Sequence, residues 1–173
     1  MKKHRRKTAG RLSALLSLLL VATMAQPLFQ TRAAENDVTM DGNVTWSYLD
    51  DGSDPAGDST TAGYDRTSWT KDDYDISAWK TATGPFGAKK GKINDLGGGC
   101  TPKTLLTQYK ADGTTDIEAF FFRTDVTIPD ASKVTKISGS VIYDDAATVY
   151  VNGVKIAGFD DDSITGNLQY GGS

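Results

Sequence analysis

The loop between Asp50 and Asp58 carries residues whose types and spacing could bind a metal ion. It places four carboxylates within nine residues, at Asp50, Asp51, Asp54 and Asp58. Calcium is bound by oxygen ligands of this kind, so the four aspartates are a candidate structural Ca²⁺ site. The loop lacks the EF-hand frame, because a proline follows the third aspartate and no glutamate closes a twelve-residue loop. A solvated acidic loop is the alternative interpretation.

An aromatic and basic group follows in the next loop, where Tyr64, Arg66 and Trp69 lie among polar residues rather than in an alternating strand. Exposed aromatic rings can stack on sugar rings, and tyrosine and tryptophan combine a large apolar surface with a polar atom. These three residues are the candidate ligand-binding site, for a carbohydrate or a cell-wall glycan. In the alternative interpretation, Trp69 covers one end of the hydrophobic core.

No comparable set predicts catalysis, and we assign no catalytic residue. Asp144 and Asp145 resemble an acid and base pair, but adjacent strand residues point to opposite faces, which favours a turn role. The only histidine is His4, so histidine-dependent triads and histidine-bearing metal sites are excluded in the chain that follows it. Cys100 is the only cysteine, which rules out an intrachain disulfide. Its expected role is that of a small buried residue, with a reactive thiol as the alternative.

The first 33 residues have the features of an export signal. Basic residues precede an apolar run from Leu12 to about Met24, which is short for a membrane span. Cleavage is predicted after Ala33, with Ala25 as the other position and an uncleaved anchor as the alternative. The expected location is therefore secreted or cell surface, without membrane contact after cleavage. Residues 34–43 are a short lead, and 44–173 are expected to form one domain.

The chain after residue 33 is strongly acidic, with 12 basic and 22 acidic residues and hence a net charge of −10. This charge argues against nucleic acid as a partner, because phosphate neutralisation needs a basic surface. Twenty of the acids are Asp and two are Glu, a bias typical of turns and calcium loops rather than helices. The one basic cluster, Lys89-Lys90-Gly91-Lys92, is expected to be a solvated loop.

Alternation of apolar and polar residues predicts several short strands and scarcely any helix. Such strands are predicted over 44–48, over 120–128 and over 137–143. The second is expected to be a central core strand. The residues expected on its buried face are Phe120, Phe122, Thr124, Val126 and Ile128. Short strands separated by turn signals indicate an antiparallel sandwich.

A β-hairpin is predicted around Asn152-Gly153, because this pair supplies the two positive φ angles of a type I′ turn. Val151 is then expected opposite Val154, and Val149 opposite Ile156, with all four residues on one buried face. The pairs that fall on the other face are Tyr150 with Lys155 and Thr148 with Ala157.

Three phrases in this order resemble galactose-binding-like jelly-roll domains, which lie at the front of many secreted bacterial hydrolases. Asp73-Tyr74-Asp75-Ile76-Ser77-Ala78-Trp79 resembles their Asp-Asp-Ser-Ser-Trp phrase. Phe121-Phe122-Arg123-Thr124-Asp125-Val126 resembles their aromatic-Phe-Arg strand, with Val126 in place of the usual aromatic. Tyr143-Asp144-Asp145 with Val149-Tyr150-Val151-Asn152-Gly153 is similar to their Asp-Asp and Asn-Gly hairpin. The resemblance covers about Val44 to Ala157 and implies an all-β, antiparallel jelly-roll β-sandwich.

The same resemblance implies a function for the chain. Such domains normally continue with another strand, and no similar segment follows Ile164, which predicts an incomplete domain and a catalytic domain further along the parent chain. The expected role is a non-catalytic accessory or binding module of an exported hydrolase, with a glycan as ligand. The alternative is the amino-terminal part of a secreted metal-dependent phosphoesterase or glycosidase, in which this domain gives only structural support.

Overall fold

The computed structural model describes residues 43–169, and this part of the chain is rich in β structure. Seven short strands and two 3-10 turns are joined by long loops, and no α-helix is present within the described range. The strands are β1 (Thr45–Leu49), β2 (Lys80–Thr83), β3 (Phe86–Gly87), β4 (Thr104–Leu105), β5 (Phe121–Arg123), β6 (Ala147–Val151) and β7 (Val154–Phe159). The 3-10 turns are Ser68–Thr70 and Ala131–Lys133. The expected all-β character is confirmed.

The strands form three small sheets, with orders β2-β1-β5, β3-β4 and β6-β7. The jelly-roll arrangement of these sheets stays a prediction. The predicted export signal lies outside the described residues. Within residues 43–169, no helix has the length and apolar character needed to cross a membrane.

Strand β1, which the alternating sequence predicts, lies at the centre of the largest sheet. It pairs antiparallel with β2 and with β5, so that Tyr48 is opposite both Lys80 and Phe122. Tyr48 is buried, and its ring packs against Phe122 at 6.4 Å and against Phe86 at 5.2 Å between centroids. Aromatic packing of this kind stabilises the fold, because it buries apolar area and places the rings in a favourable geometry.

The predicted central strand over 120–128 is wrong in both length and position. Only Phe121–Arg123 forms a strand, and it lies at the edge of its sheet. Val126 and Ile128 are 38% and 39% exposed, whereas Phe121, expected on the outer face, is only 6% exposed. The physical reason is that aromatic side chains pack on both faces of this strand, so alternation does not separate a buried face from an exposed one.

The small parallel pair β3-β4 packs against the loop that joins its two strands. Gly87 is buried, and a Cβ atom at this position would lie 2.7 Å from Leu96 Cδ1 and 3.0 Å from Pro102 Cγ. Glycine is therefore required by close packing here. Cys100 is buried and free, in agreement with its expected role.

The predicted Asn152-Gly153 turn is confirmed, since the two residues have φ angles of +47° and +81°. Val151 lies opposite Val154 and Tyr150 opposite Lys155, as expected. Beyond this point the register shifts by one residue, and Val149 lies opposite Ala157 instead of Ile156. One extra residue on one strand is a β-bulge, which bends the strand and changes which side chains share a face.

The predicted buried face of the hairpin is therefore wrong. Val151, Val154 and Ile156 are 40%, 64% and 49% exposed. The hairpin instead packs through Tyr150, whose ring lies 6.0 Å from the ring of Trp69. An alternating pattern fixes a face only while the ladder is regular, and the bulge interrupts it.

The predicted strand over 137–143 is also absent. This segment has no strand assignment, and Ile137 and Ile142 are 65% and 64% exposed. Within the described residues it has no neighbouring strand with which to form a ladder. Alternation alone cannot supply the hydrogen bonds that define a strand.

Gly153→Ala is expected to lower the free energy of unfolding by about 1 kcal/mol, because an L-residue at φ +81° is strained. The added methyl group itself has room, since it would lie 3.6 Å from Lys71 Cγ. Urea unfolding followed by tryptophan fluorescence measures the change. Gly139→Ala is the matched control, because its added methyl group would meet nothing within 4 Å and its φ is not positive. Equal effects of the two changes would contradict the assignment of strain to the turn.

Candidate functional site

Asp50, the first candidate calcium ligand, is an interior carboxylate at the end of β1. Its side chain is 1% exposed, and Oδ1 lies 2.7 Å from the Lys80 ammonium, while Oδ2 accepts a 2.8 Å hydrogen bond from the Thr107 amide. Burial favours the neutral carboxyl and by itself would raise the pKa of Asp50. The hydrogen bonds from Lys80 and Thr107 outweigh this effect and lower the pKa below its usual value. Asp50 therefore joins β1, the start of β2 and the segment after β4.

The other three candidate ligands each accept a hydrogen bond from a residue two positions later, and Asp54 has further partners outside its loop. Asp51 Oδ1 accepts hydrogen bonds from the Ser53 amide and hydroxyl, at 2.8 and 2.6 Å. Asp58 Oδ1 accepts from the amide and hydroxyl of Thr60, both at 2.8 Å. Asp54 Oδ1 accepts from the Ala56 amide at 2.8 Å, and its Oδ2 accepts from the Tyr64 hydroxyl at 2.6 Å.

The structure thus does not bring the four aspartates together around a common point. Across residues 43–169, no group of three or more His, Cys, Asp or Glu side chains is arranged to hold a metal ion. The three consecutive aspartates at 160–162 do not form one either, because Asp161 is buried and pairs with Lys155 at 2.8 Å and with the Thr148 hydroxyl at 2.5 Å. These carboxylates satisfy protein donors, and the calcium hypothesis draws no support from their arrangement.

A single local motif accounts for much of the acidic composition. In each case a side-chain carboxylate accepts a hydrogen bond from the backbone N–H two residues later, which closes an Asx turn. Within the described range the aspartates that do so are Asp51, Asp54, Asp58, Asp65, Asp75, Asp95, Asp112 and Asp130. Loop shape is therefore set largely by short-range carboxylate–amide bonds.

Trp69, predicted as a ligand-binding residue, lies at the centre of an aromatic cluster. Its ring packs against Phe121 at 5.1 Å, against Tyr150 at 6.0 Å and against Trp79 at 6.3 Å between centroids. These partners come from β5, from β6 and from the turn that precedes β2. The arrangement fits the alternative interpretation, in which Trp69 covers one end of the core.

Arg123 supports the backbone beside Trp69, a role that the sequence does not reveal. Its Nη1 donates to the carbonyl oxygens of Trp69 and Lys71, at 3.0 and 2.7 Å. Charge-assisted hydrogen bonds of this kind are among the stronger polar contacts in proteins. Arginine next to an aromatic run suggests a surface ion pair equally well, so no sequence signal identifies these long-range carbonyl partners.

Tyr64 and Arg66 lie in the same loop as Trp69 but make separate contacts. The Tyr64 hydroxyl donates to Asp54, and partial burial together with this bond raises the pKa of Tyr64 to about 12. Arg66 Nη1 donates to the Ile164 carbonyl at 3.1 Å. The Asn167 amide donates to Asp54 and to the Arg66 carbonyl, both at 2.8 Å. These bonds fix the loop against the chain near residue 165.

Tyr64, and not Trp69, lines an open depression of about 350 Å³. Its other polar walls are Asp58, Thr61, Asp65 and Ser68. Asp65 pairs with Lys71 at 2.8 Å, and this bond, with those from Thr67, holds the pKa of the Asp65 carboxyl well below its usual range. The depression therefore offers one aromatic ring, ionised carboxylates and hydroxyl groups. Its volume is at the lower end of the range for small-molecule sites.

Asp144 and Asp145 are both exposed, in a turn that precedes β6. Their turn position agrees with the interpretation drawn from the sequence. Comparisons of the chain with protein-family models, with curated proteins and with solved structures gave no match. The class defined by the fold is a β-rich chain with long, internally hydrogen-bonded loops, and its function has to be argued from its own residues.

Proposed function

We propose that residues 43–169 belong to a non-catalytic accessory module of an exported protein, which binds a glycan without net charge through the depression at Tyr64. The observation that carries this proposal is that Tyr64 lines one depression together with Asp58, Asp65, Thr61 and Ser68. Sugars present a flat apolar face and a rim of hydroxyl donors, which this set of groups complements.

The charge of the depression selects among glycans. Asp58 and Asp65 are the ionisable walls, and hydrogen bonds lower the pKa of both carboxyls. Lys71 pairs with Asp65, so the negative charge of the depression at neutral pH comes from Asp58, which forms no ion pair within residues 43–169. An anionic sugar would be repelled, whereas neutral hydroxyl groups donate to carboxylates in charge-assisted bonds. The hydroxyl bond to Asp54 holds the Tyr64 ring in place before a ligand arrives, which reduces the entropic cost of binding.

Tyr64→Ala in the full chain is expected to weaken retention on an insoluble neutral polysaccharide by about fivefold or more, because it removes the only aromatic wall of the depression. The measurement is depletion from solution over cellulose and over de-charged cell-wall glycan. Tyr74→Phe is the matched control, since the Tyr74 hydroxyl donates to the Pro55 carbonyl and lies outside the depression. Retention that is unchanged in Tyr64→Ala would contradict the proposed site.

A further inference from the structure

The basic turn at residues 89–92 is an ordered hairpin, although its sequence predicts a solvated loop. The Lys89 amide donates to the Lys92 carbonyl at 2.9 Å, and the Lys92 amide donates to the Lys89 carbonyl at 3.3 Å. Lys90 and Gly91 at its tip have φ angles of +56° and +68°. These angles have the signs of a type I′ turn, so the lysines are presented from a defined backbone.

The tip of this turn is fixed against the segment that follows β4. The Gly91 amide donates to Gln108 Oε1 at 2.8 Å. A Cβ atom at Gly91 would lie 3.4 Å from Cε2 of Tyr109, which places the Tyr109 ring directly beside the turn. The Asn94 side chain adds a bond to the Lys89 carbonyl at 3.1 Å. The positions of the lysine backbones relative to this ring are therefore set by the fold.

The turn and this segment together line an open depression of about 320 Å³. Gly91 forms one wall, while Leu105, Gln108, Tyr109 and Lys110 contribute others, and no acidic side chain lines it. Leu105 is 43% exposed. The depression thus combines apolar and aromatic surface with amide and ammonium groups.

The charge of this lysine cluster is not neutralised within the described part of the chain. Lys71, Lys80, Lys133 and Lys155 each form an ion pair with an aspartate. By contrast, no ion pair among residues 43–169 involves the cluster, and the Lys89 ammonium donates to the carbonyl oxygen of Asp95.

The nearest acids along the chain are already used by other groups. Asp112 accepts from Thr114 and Thr115, and Asp116 accepts from Gln108 Nε2 at 3.3 Å. Asp95 accepts from the Gly97 amide. The donors in these bonds are amides and hydroxyls and not the lysine ammoniums, so the ammoniums of the cluster remain able to meet an anion from solution.

We propose that the 89–92 turn and the adjoining depression bind an acidic polysaccharide, whose sugar ring packs on Tyr109 and Leu105 while its carboxylates meet Lys90, Lys92 and Lys110. The proposal does not depend on the Tyr64 site, because the two depressions share no residue.

Because the chain is acidic overall, we expect a partner whose negative charges are widely spaced. With a net charge of −10 after residue 33, attraction acts only near the lysines, within a screening length of about 8 Å at physiological salt. Duplex nucleic acid carries a charge every ~1.7 Å, so phosphates beyond the lysine cluster would face a chain that is acidic overall. A polymer with one carboxylate per sugar matches a small basic patch better.

The test is affinity electrophoresis of the full chain through gels that contain sodium polygalacturonate. Lys90→Gln with Lys92→Gln is expected to weaken binding by about fivefold or more, and added salt is expected to weaken binding of the unaltered chain. Lys133→Gln with Lys136→Gln is the charge-matched control, and Tyr64→Ala is the control for the other depression. Both controls should bind as the unaltered chain does.

Three results would overturn the proposal. The first is an equal loss of binding in the Lys133 and Lys136 control, which would indicate a response to overall charge. The second is equal retardation by a neutral galactan, and the third is tighter binding of single-stranded DNA or polyphosphate than of polygalacturonate. Failure of this proposal with intact Tyr64-dependent retention would leave the proposed function standing.

Discussion

Replacing Trp69 by alanine is expected to lower the free energy of unfolding by about 3 kcal/mol, because the change removes a ring that packs against three others. The ring partners are Phe121, Tyr150 and Trp79, and they belong to segments far apart in the sequence. Loss of the indole leaves a cavity that these side chains can fill only in part. Urea denaturation followed by far-ultraviolet circular dichroism gives the free energy directly.

Trp69→Phe is the matched control for this prediction, because it keeps an aromatic ring in the cluster and should cost less stability than alanine. The polysaccharide assay distinguishes the two roles considered for Trp69. A Trp69→Ala chain that unfolds at the same urea concentration as the unaltered chain, but is no longer retained on glycan, would identify Trp69 as a ligand-binding residue after all.

Asp50→Asn is expected to cost about 2 kcal/mol of stability, the usual size for hydrogen bonds that involve a charged group. The change keeps an acceptor for the Thr107 amide but removes the negative charge that faces Lys80. The asparagine amide would also place N–H donors where the ammonium now lies. Lys80 is about half exposed, so its own desolvation adds little to the loss.

The same substitution should change the dependence of stability on pH. The pKa of Asp50 is lowered in the folded chain, so its contribution is fully present above the unfolded pKa of about 3.9 and is lost as pH falls through the folded value. The unaltered chain should therefore be more stable than the Asp50→Asn chain by a constant amount near neutral pH. In acid the stabilities of the two chains should converge. Thermal unfolding from pH 7 to pH 3 measures this convergence.

Asp51→Asn is the adjacent control, because Asp51 is exposed and asparagine can form the same Asx turn with Ser53. Its effect should stay within about 0.5 kcal/mol. An Asp50→Asn chain as stable as the Asp51→Asn chain would contradict a stabilising role for the interior ion pair.

The elements that the sequence predicts correctly are those with a local cause. The Asn152-Gly153 turn needs only two residues that tolerate positive φ, and β1 alternates so that Trp46 and Tyr48 share one face of the sheet. The bulge at Ile156 shifts the register of the hairpin, and no residue type in the hairpin indicates it. Strand 137–143 fails for a related reason, because a ladder requires a partner that alternation cannot supply.

The candidate sites likewise have some features with a local cause and others that depend on contacts far along the chain. Tyr64 lines an open depression with residues on both sides of it in the sequence, and Trp69 is not among them. The ligand-binding role of Tyr64 stays a prediction. Asp50 differs from the aspartates beside it only because Lys80 and Thr107 fold against it. Four acids in nine residues suggest a shared metal ion. In the fold, Asp51 and Asp58 close local turns, whereas Asp50 and Asp54 bond to residues far along the chain.

The aspartates in the recurrent Asx turns do two things at once: the acceptor oxygen sets the shape of the loop, and the carboxylate adds negative charge to the surface. A glutamate carboxylate is one methylene too far out to close the same small ring, so the eight aspartates that close it could not be glutamates. Asparagine closes this ring without the charge. Replacing these eight aspartates by asparagine would therefore remove eight negative charges from the surface while leaving the acceptor that shapes each loop.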